Sequence, residues 1–346
     1  MKACVLSDWK KLEIKEIPVP ELEEEQVLIE MIYGGVCGSD VTVTNHKHLT
    51  ATVPRILCHE LLGRVKEIRS SRNLPFKEGD KVCVFPLVYC GNCEPCLTGH
   101  TSACSQLKIM GVHIDGGFAE YCAVPVESVI PVPEGIPDEI AVLTEPLSVA
   151  FHANALAGTK PGDRVLVTGA GPIGLLCAMT AKYFGAAEVY VSEIKPERLD
   201  LAKSLGLNTV NPMEQDILAY SRKVTGSKGF DVVLEVTGAQ AAYDIMVPVC
   251  RECGSIVTVA IPSQPRSYQT NMFILKEIRL QGIRCCPKNE FARTVTMVQA
   301  MCADLKRYPL EKMIDSVYSL EDCARGIYRQ ESGLNNGKIL IRIGSC

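Results

Sequence analysis

The feature that most restricts this chain is a glycine-rich turn set between an apolar run and a helix. Arg164–Thr168 (RVLVT) has no polar alternation, as in a strand buried on both faces. Gly169-Ala170-Gly171-Pro172-Ile173-Gly174 follows at once, and Gly174–Phe184 (GLLCAMTAKYF) reads as a helix. In such a G-x-G-x-x-G junction the first glycine permits the tight turn. The second lets the backbone approach a pyrophosphate, and the third allows close helix–strand packing. The helix N-terminus then offers free N–H groups and positive dipole to phosphates. Alone, the hexapeptide could be any glycine-rich turn, so its context must decide. The next strand, Glu188–Ser192 (EVYVS), leads to Glu193, 19 residues after Gly174, the interval at which a carboxylate meets the adenosine ribose. A carboxylate accepts from a 2′-hydroxyl and repels a 2′-phosphate, so NAD is expected over NADP. Arg198 could reach a phosphate or be a plain surface residue, and Glu193 is expected to dominate.

The turn sits inside a longer alternation. A helix is expected from about Pro196 to Leu205, then a strand Asp231–Val236 (DVVLEV), another helix and a strand Ser255–Ala260 (SIVTVA). Strands alternating with helices imply βαβ units and a parallel sheet. The first ~150 residues differ, with short β-like runs broken by Gly and Pro, as in a compact all-β body. Examples are Val27–Ile32, Gly63–Ile68 and Lys81–Phe85. A helix over Glu290–Asp304 and a closing strand Lys338–Ile343 make a tail too short for a domain, which is expected to rejoin the N-terminal body. The chain of 346 residues thus reads as α/β with two domains, 1–149 plus 285–346 and 150–284.

Net charge is −4, so no basic field suggests nucleic acid or an anionic membrane. The start, MKACVLSDWKK, has no long apolar run after its basic residue, and no stretch reaches the ~18 apolar residues of a spanning helix. The cytosol is the expected address. There, 17 cysteines argue for small core residues, metal ligands or nucleophiles rather than disulfides. Cys90, Cys93, Cys96 and Cys104 read C-x2-C-x2-C-x7-C in a turn-rich loop. Four thiolates at this spacing can close a tetrahedral zinc site, and with every position filled by protein that metal would be structural. A ferredoxin-like iron–sulfur run would bring its fourth cysteine sooner, before a proline.

Two more segments carry ligand chemistry, Gly34–Asp40 (GGVCGSD) and Cys58-His59-Glu60. A Cys, a His and a carboxylate suit a zinc that keeps one position open. With PRILCHE at 54–60, EGDKV at 78–82, DGGFAEY at 115–121, TEPLSVAFHA at 144–153, GAGPIG at 169–174 and GKILI at 337–341, the whole chain resembles the medium-chain zinc alcohol dehydrogenases. The likeness is strongest to their polyol, sugar-acid, threonine and butanediol branch.

The resemblance implies a mostly-β GroES-like catalytic domain, a Rossmann domain with a doubly wound parallel sheet, and two zinc ions per chain. Cys37 and His59 would bind catalytic zinc, with Glu60 or Glu145 as third ligand. The primary-alcohol branch has a cysteine near Glu145, so a carboxylate there favours the polyol-like branch. Ser39 matches the hydroxyl that takes the substrate's proton, and Asp40 would orient a neighbour. The implied cofactor contacts are Ile173, Glu193, Arg198 and the segment Val259, Ala260, Ile261, with Ile283 and Arg284 near the nicotinamide end. A dimer or tetramer is also implied.

Three departures bear on function. Cys58 replaces the family's usual glycine, either blandly or as a thiol near the zinc. Thr42 occupies the place where relatives often put a relay histidine, so His46 or His48 would have to serve unless both are ordinary loop residues. Leu87 stands where threonine dehydrogenases carry a substrate-binding His. Expected, then, is NAD-linked oxidation of a secondary hydroxyl on a polyol, sugar acid or sugar phosphate. His46, Lys47, His48 and Arg284 could receive an anionic end. A small diol or amino alcohol is the alternative. A zinc-free quinone-type reductase would lack both ligand sets, and a non-catalytic NAD sensor would have no need of them.

Overall fold

The structure, a computed structural model, describes residues 1–344. It divides into two compact units. One comprises Met1–Glu145, Pro287–Ala303 and the chain from Met313 onward; the other comprises Pro146–Cys286 and Asp304–Lys312.

The first unit is mostly β. Its main sheet has the order Val129–Pro131, Lys81–Val84, Glu60–Arg69, Gln26–Val36, Lys338–Arg342, Ile314–Ser319. Tyr121–Pro125 also pairs with Gln26–Val36, the longest of these strands and buried along most of its length. Leu57, Leu61, Val82, Met110 and Phe118 fill the core with Ile29, Met31 and Ile339. The closing strand does rejoin this body. Ile339 faces Val36 and Leu340 faces Gly35, while Glu60 faces Gly35 from the other side.

The second unit holds a six-stranded sheet in which every neighbouring pair is parallel. Its order is Asn208–Val210, Glu188–Ser192, Arg164–Thr168, Phe230–Glu235, Cys250–Thr258, Arg279–Gly282. In chain order that is third, second, first, fourth, fifth, sixth, the doubly wound arrangement in which ligands bind where the order reverses. The reversal lies between Arg164–Thr168 and Phe230–Glu235, so the glycine turn opens at the switch point. The strand Arg164–Thr168 and the helix Pro172–Tyr183 appear where the sequence places them, because an apolar run flanked by Gly and Pro leaves little choice.

One stretch departs from the sequence reading, which gave all of 285–346 to the first domain. Asp304–Lys312 belongs to the second unit. Tyr308 meets Tyr183 edge-on at 6.0 Å, Lys182 donates to the Arg307 carbonyl at 3.1 Å, and Lys312 donates to the Ser204 carbonyl at 2.9 Å. These contacts outweigh chain proximity. Among the described residues no helix is long and apolar enough to cross a membrane, and no disulfide joins two cysteines.

Candidate active site and metal centres

In the first unit, Cys37 ends the strand Gln26–Val36 and caps the short helix Gly38–Thr44, which carries Ser39 and Asp40. His59 and Glu60 open the neighbouring strand. The buried Asp40 carboxylate joins the two segments: one oxygen accepts the Cys37 N–H at 2.8 Å, the other the Cys58 N–H at 3.2 Å. A ligand atom from each of Cys37, His59 and Glu60 thereby comes within 4.8 Å of the others. His59 Nδ1, Glu60 Oε2 and Ser39 Oγ are all buried without a hydrogen-bond partner. Gly35 is required here because a Cβ would overlap the Glu60 carboxylate.

The electrostatics show what the set lacks. Burial opposes the His59 imidazolium, yet Cys37, Glu145 and Asp40 outweigh it and raise His59 well above its ordinary range. Burial pushes the Glu145 carboxyl up to about 7 and raises Asp40 as well. Lys338 offsets part of the negative charge, with its ammonium 2.5 Å from Glu60 Oε1. An unpartnered imidazole nitrogen and an unpartnered carboxylate oxygen beside a thiol, in a negative surround, fit a divalent cation such as zinc with one position left open. Glu145, in the first turn of Thr144–Ala157, lies outside the close trio and acts on His59 and Glu60 through its field.

Cys58 adopts φ 85°, a left-handed conformation that costs a side-chain-bearing residue what it spares glycine. Its thiol donates to the carbonyls of Glu60 at 3.3 Å and Gly35 at 3.7 Å. It therefore braces the backbone around the trio without joining it.

The four quartet thiols converge in a loop shaped by Gly91 at φ 75° and the single helical turn Glu94–Leu97. Sulfur separations are 3.4 Å for Cys93–Cys96, 3.5 Å for Cys104–Cys90 and 4.0 Å for Cys90–Cys96. The Cys90 and Gln106 N–H groups point at Cys104 Sγ. Backbone donors from Ser105 and Cys96 pull the Cys93 thiol down to about 6. Such donors favour thiolate, the form that binds metal.

In the second unit, Gly169 takes φ 102°, and a Cβ on Gly174 would overlap the Gly169 carbonyl. Gly171 opens toward Arg198, whose guanidinium would lie 3.7 Å from a Cβ there. Pro172 and Ile173 begin the helix. Glu193 turns inward: it accepts the N–H of Ala170 at 2.9 Å, of Ile194 at 2.8 Å and of Lys195 at 3.0 Å. Its carboxylate thus pins the glycine turn to the next strand, a task that spacing alone does not reveal. Glu235 was missed altogether. Fully buried at a strand end, it accepts from Thr237 and Gly238 and holds the turn against Gly169. Its signal was a carboxylate closing an apolar run. Val259, Ala260 and Ile261 follow the fifth strand and Ile283 and Arg284 the sixth, with the Val259 N–H on the Glu235 carbonyl and the Ile283 N–H on the Thr258 carbonyl.

The loop histidines each meet another aromatic ring. His46, at φ 54°, stacks on Trp9 with ring centroids 4.0 Å apart. His48 meets His113 edge-on at 5.6 Å, and the Thr50 hydroxyl lies 2.8 Å from His113 Nε2. The Thr42 hydroxyl donates back to the Gly38 carbonyl.

Comparison with known proteins agrees in both units. The family model "Alcohol dehydrogenase GroES-like domain" matches residues 23–134, and "Zinc-binding dehydrogenase" matches residues 172–300. Sorbitol dehydrogenase of Bacillus subtilis (strain 168) is 33% identical over 327 residues, 93% of this chain and 91% of that protein. L-threonine 3-dehydrogenase of Chelativorans sp. (strain BNC1) is 36% identical over 288 residues, 82% of this chain and 83% of that protein. The crystal structure of galactitol-1-phosphate dehydrogenase from Escherichia coli superposes with a TM-score of 0.90 at 27% identity, covering 99% of this chain and 100% of that one.

Proposed function

Because the chain belongs to the zinc-type medium-chain alcohol dehydrogenase family, whose members act on CH–OH groups, we propose that it moves a hydride between NAD and a secondary carbinol carbon of a polyol, sugar acid or sugar phosphate. The observation that carries this reading is the convergence of Cys37, His59 and Glu60, with a buried, unpartnered hydroxyl on Ser39 two residues after Cys37. Zinc held there would supply Lewis acidity to the substrate oxygen. Cys37, His59 and Glu60 would hold that ion, and Asp40 keeps the two donor segments together. Ser39 accepts the hydroxyl proton at Oγ. A serine cannot store a proton near neutral pH, so the next acceptor is a titratable group, and His46 and His48 on the following loop are the candidates. If one serves, its replacement by Gln lowers activity mainly at low pH, with partial rescue by small buffer bases. Parent-like profiles for both variants would leave the proton to water.

NAD would lie on the turn Gly169–Gly174 and supply the hydride acceptor, with Arg198, Val259, Ala260, Ile261, Ile283 and Arg284 along its length. Glu193, drawn tight by backbone N–H groups, leaves a negative edge that disfavours a 2′-phosphate. The expected preference for NAD is about tenfold or more in kcat/KM, ~1.4 kcal/mol, and Glu193→Ala should shrink it. Equal use of NADP by the parent protein would defeat this.

The buried Leu87 argues against threonine, since a leucine offers no hydrogen bond to an amino acid's polar groups. A diol or amino alcohol is the second reading, favoured by the threonine dehydrogenase likeness. The intact donor sets speak against a non-catalytic NAD sensor. We also propose a cytosolic homo-oligomer, dimer or tetramer; the free cysteines suit a reducing compartment, and the strand Arg279–Gly282 ends its sheet with an open edge. The decisive experiment screens sugar acids, polyols and their phosphates for NADH formation by protein whose metal has been counted. Two zinc ions per chain and turnover on this panel support the reading; one metal at most in fully loaded protein, or iron with sulfide, overturns it.

A further inference from the structure

Lys338 is a buried lysine, 4% exposed in its side chain, on the closing strand of the first unit. Its ammonium has two partners, Glu60 Oε1 at 2.5 Å and the Val36 carbonyl at 2.8 Å. Sheet register explains both. Ile339 faces Val36, so Lys338 falls one step further, level with Cys37. Glu60 faces Gly35, two residues short of Cys37, on the opposite side, so the Lys338 side chain reaches across the middle strand to the Glu60 carboxylate. Lys338 holds only one Glu60 oxygen, and the other, Oε2, is buried and unpartnered in the space Gly35 leaves by lacking a Cβ.

Resting on the metal reading above, we infer that Lys338 is a positioning residue that limits Glu60 to one-oxygen ligation of the metal held by Cys37 and His59, keeping the fourth position open. A carboxylate can give a cation one oxygen or two. The ammonium occupies Oε1, so Oε2 alone faces the other donors. The same ammonium tethers the carbonyl of the residue before Cys37 and so ties both donor segments to the closing strand. Without Lys338, Glu60 has no partner in the metal-free protein and both oxygens for a metal in the loaded one. The buried charge then destabilises the empty site, and two-oxygen ligation grips the metal and crowds out the substrate oxygen.

The test is Lys338→Met, with Lys338→Arg retaining the charge and Lys338→Met/Glu60→Gln removing both. Readouts are melting temperature with and without zinc, the rate of zinc loss to a chromogenic chelator, and kcat. Expected for Lys338→Met are a melting temperature lowered in the metal-free form and largely recovered with zinc, zinc release slowed about tenfold, and kcat lowered about tenfold. Lys338→Arg should release zinc within about threefold of the parent rate, and the double variant should regain most of the metal-free melting temperature. A residue that merely fills space would lower melting equally with and without zinc. That result, or zinc release at the parent rate, overturns the inference. Should Lys338→Met not fold, slowed release from Lys338→Arg overturns it instead. A parent protein that binds no zinc through Cys37 and His59 would refute the metal reading itself, whatever the variants do.

Discussion

The first unit contains two converging sets of metal-type donors built on opposite plans. The thiol quartet is local: Cys90 and Cys104 are 14 residues apart, and the loop between them has only two short helical turns, Glu94–Leu97 and Thr101–Ala103. Three of its four cysteines are partly exposed. The other set is assembled by a sheet. Cys37, His59 and Glu60 are delivered by neighbouring strands, cross-linked by Asp40 and backed by Lys338, whose bond to Val36 spans 302 residues. The contrast separates two meanings of a metal site. A loop with little regular structure would depend on its metal to stay folded, so binding free energy there would be folding free energy. A sheet-built set is held by pairing and packing whether or not metal is bound, so a metal there would be free to serve chemistry.

The largest effect expected from this contrast is on turnover. Cys37→Ser or His59→Ala should lower kcat/KM by about three orders of magnitude or more, ~4 kcal/mol, because the Lewis acid is lost or misplaced. Melting should shift by no more than about 2–4 °C. A collapse in melting as large as that of a quartet variant would erase the distinction. Next comes Cys93→Ser, which breaks the closed set. Stability should fall by about 3 kcal/mol or more, seen as a melting temperature lower by roughly 6–12 °C, while each folded, loaded molecule keeps near-parent turnover. Unchanged melting would mean that the quartet does not hold its loop.

Smaller again is Asp40→Asn. The amide retains one acceptor oxygen where the carboxylate served two N–H groups, from Cys37 and Cys58. Activity or zinc affinity should drop about tenfold, within the range for groups that orient ligands, and a parent-like enzyme would show that sheet pairing alone fixes the donors. The smallest effect is kinetic. A chelator should strip the open set first and the quartet several-fold more slowly, since four thiolates must be displaced there; the reverse order would invert the assignment.

The same division decides what could be read from sequence. The quartet and the strand–turn–helix at 164–184 are local patterns, so spacing alone exposes them. Cys37 and His59 needed the family resemblance, because nothing in either segment says that the two meet. Lys338 was invisible: its partner lies 278 positions away, and only the pairing of both their strands with Gln26–Val36 brings them together. The helix Thr144–Ala157 was missed because it is apolar on nearly every side and shows no helical period. The inward turn of Glu193 escaped because a carboxylate at a strand end can serve a ribose or its own backbone, and the interval is the same.

The position of the closing strand sets an order of events during synthesis. Tyr33–Val36 pairs with Ile339–Arg342, so one edge of that early strand has no such neighbour until residues 339–342 leave the ribosome. At roughly 5–20 residues per second, a gap of 302 residues leaves that edge waiting about a quarter of a minute to a minute. The parallel sheet, drawn wholly from 164–282, is translated inside that interval and can close first. The nascent protein therefore carries a finished nucleotide-type fold beside an unfinished β-body with an open edge, the kind of surface to which chaperones or other strands bind. A metal supplied early would meet Cys37 and Glu60 before Lys338 exists, so loading in the geometry proposed above would be a late step.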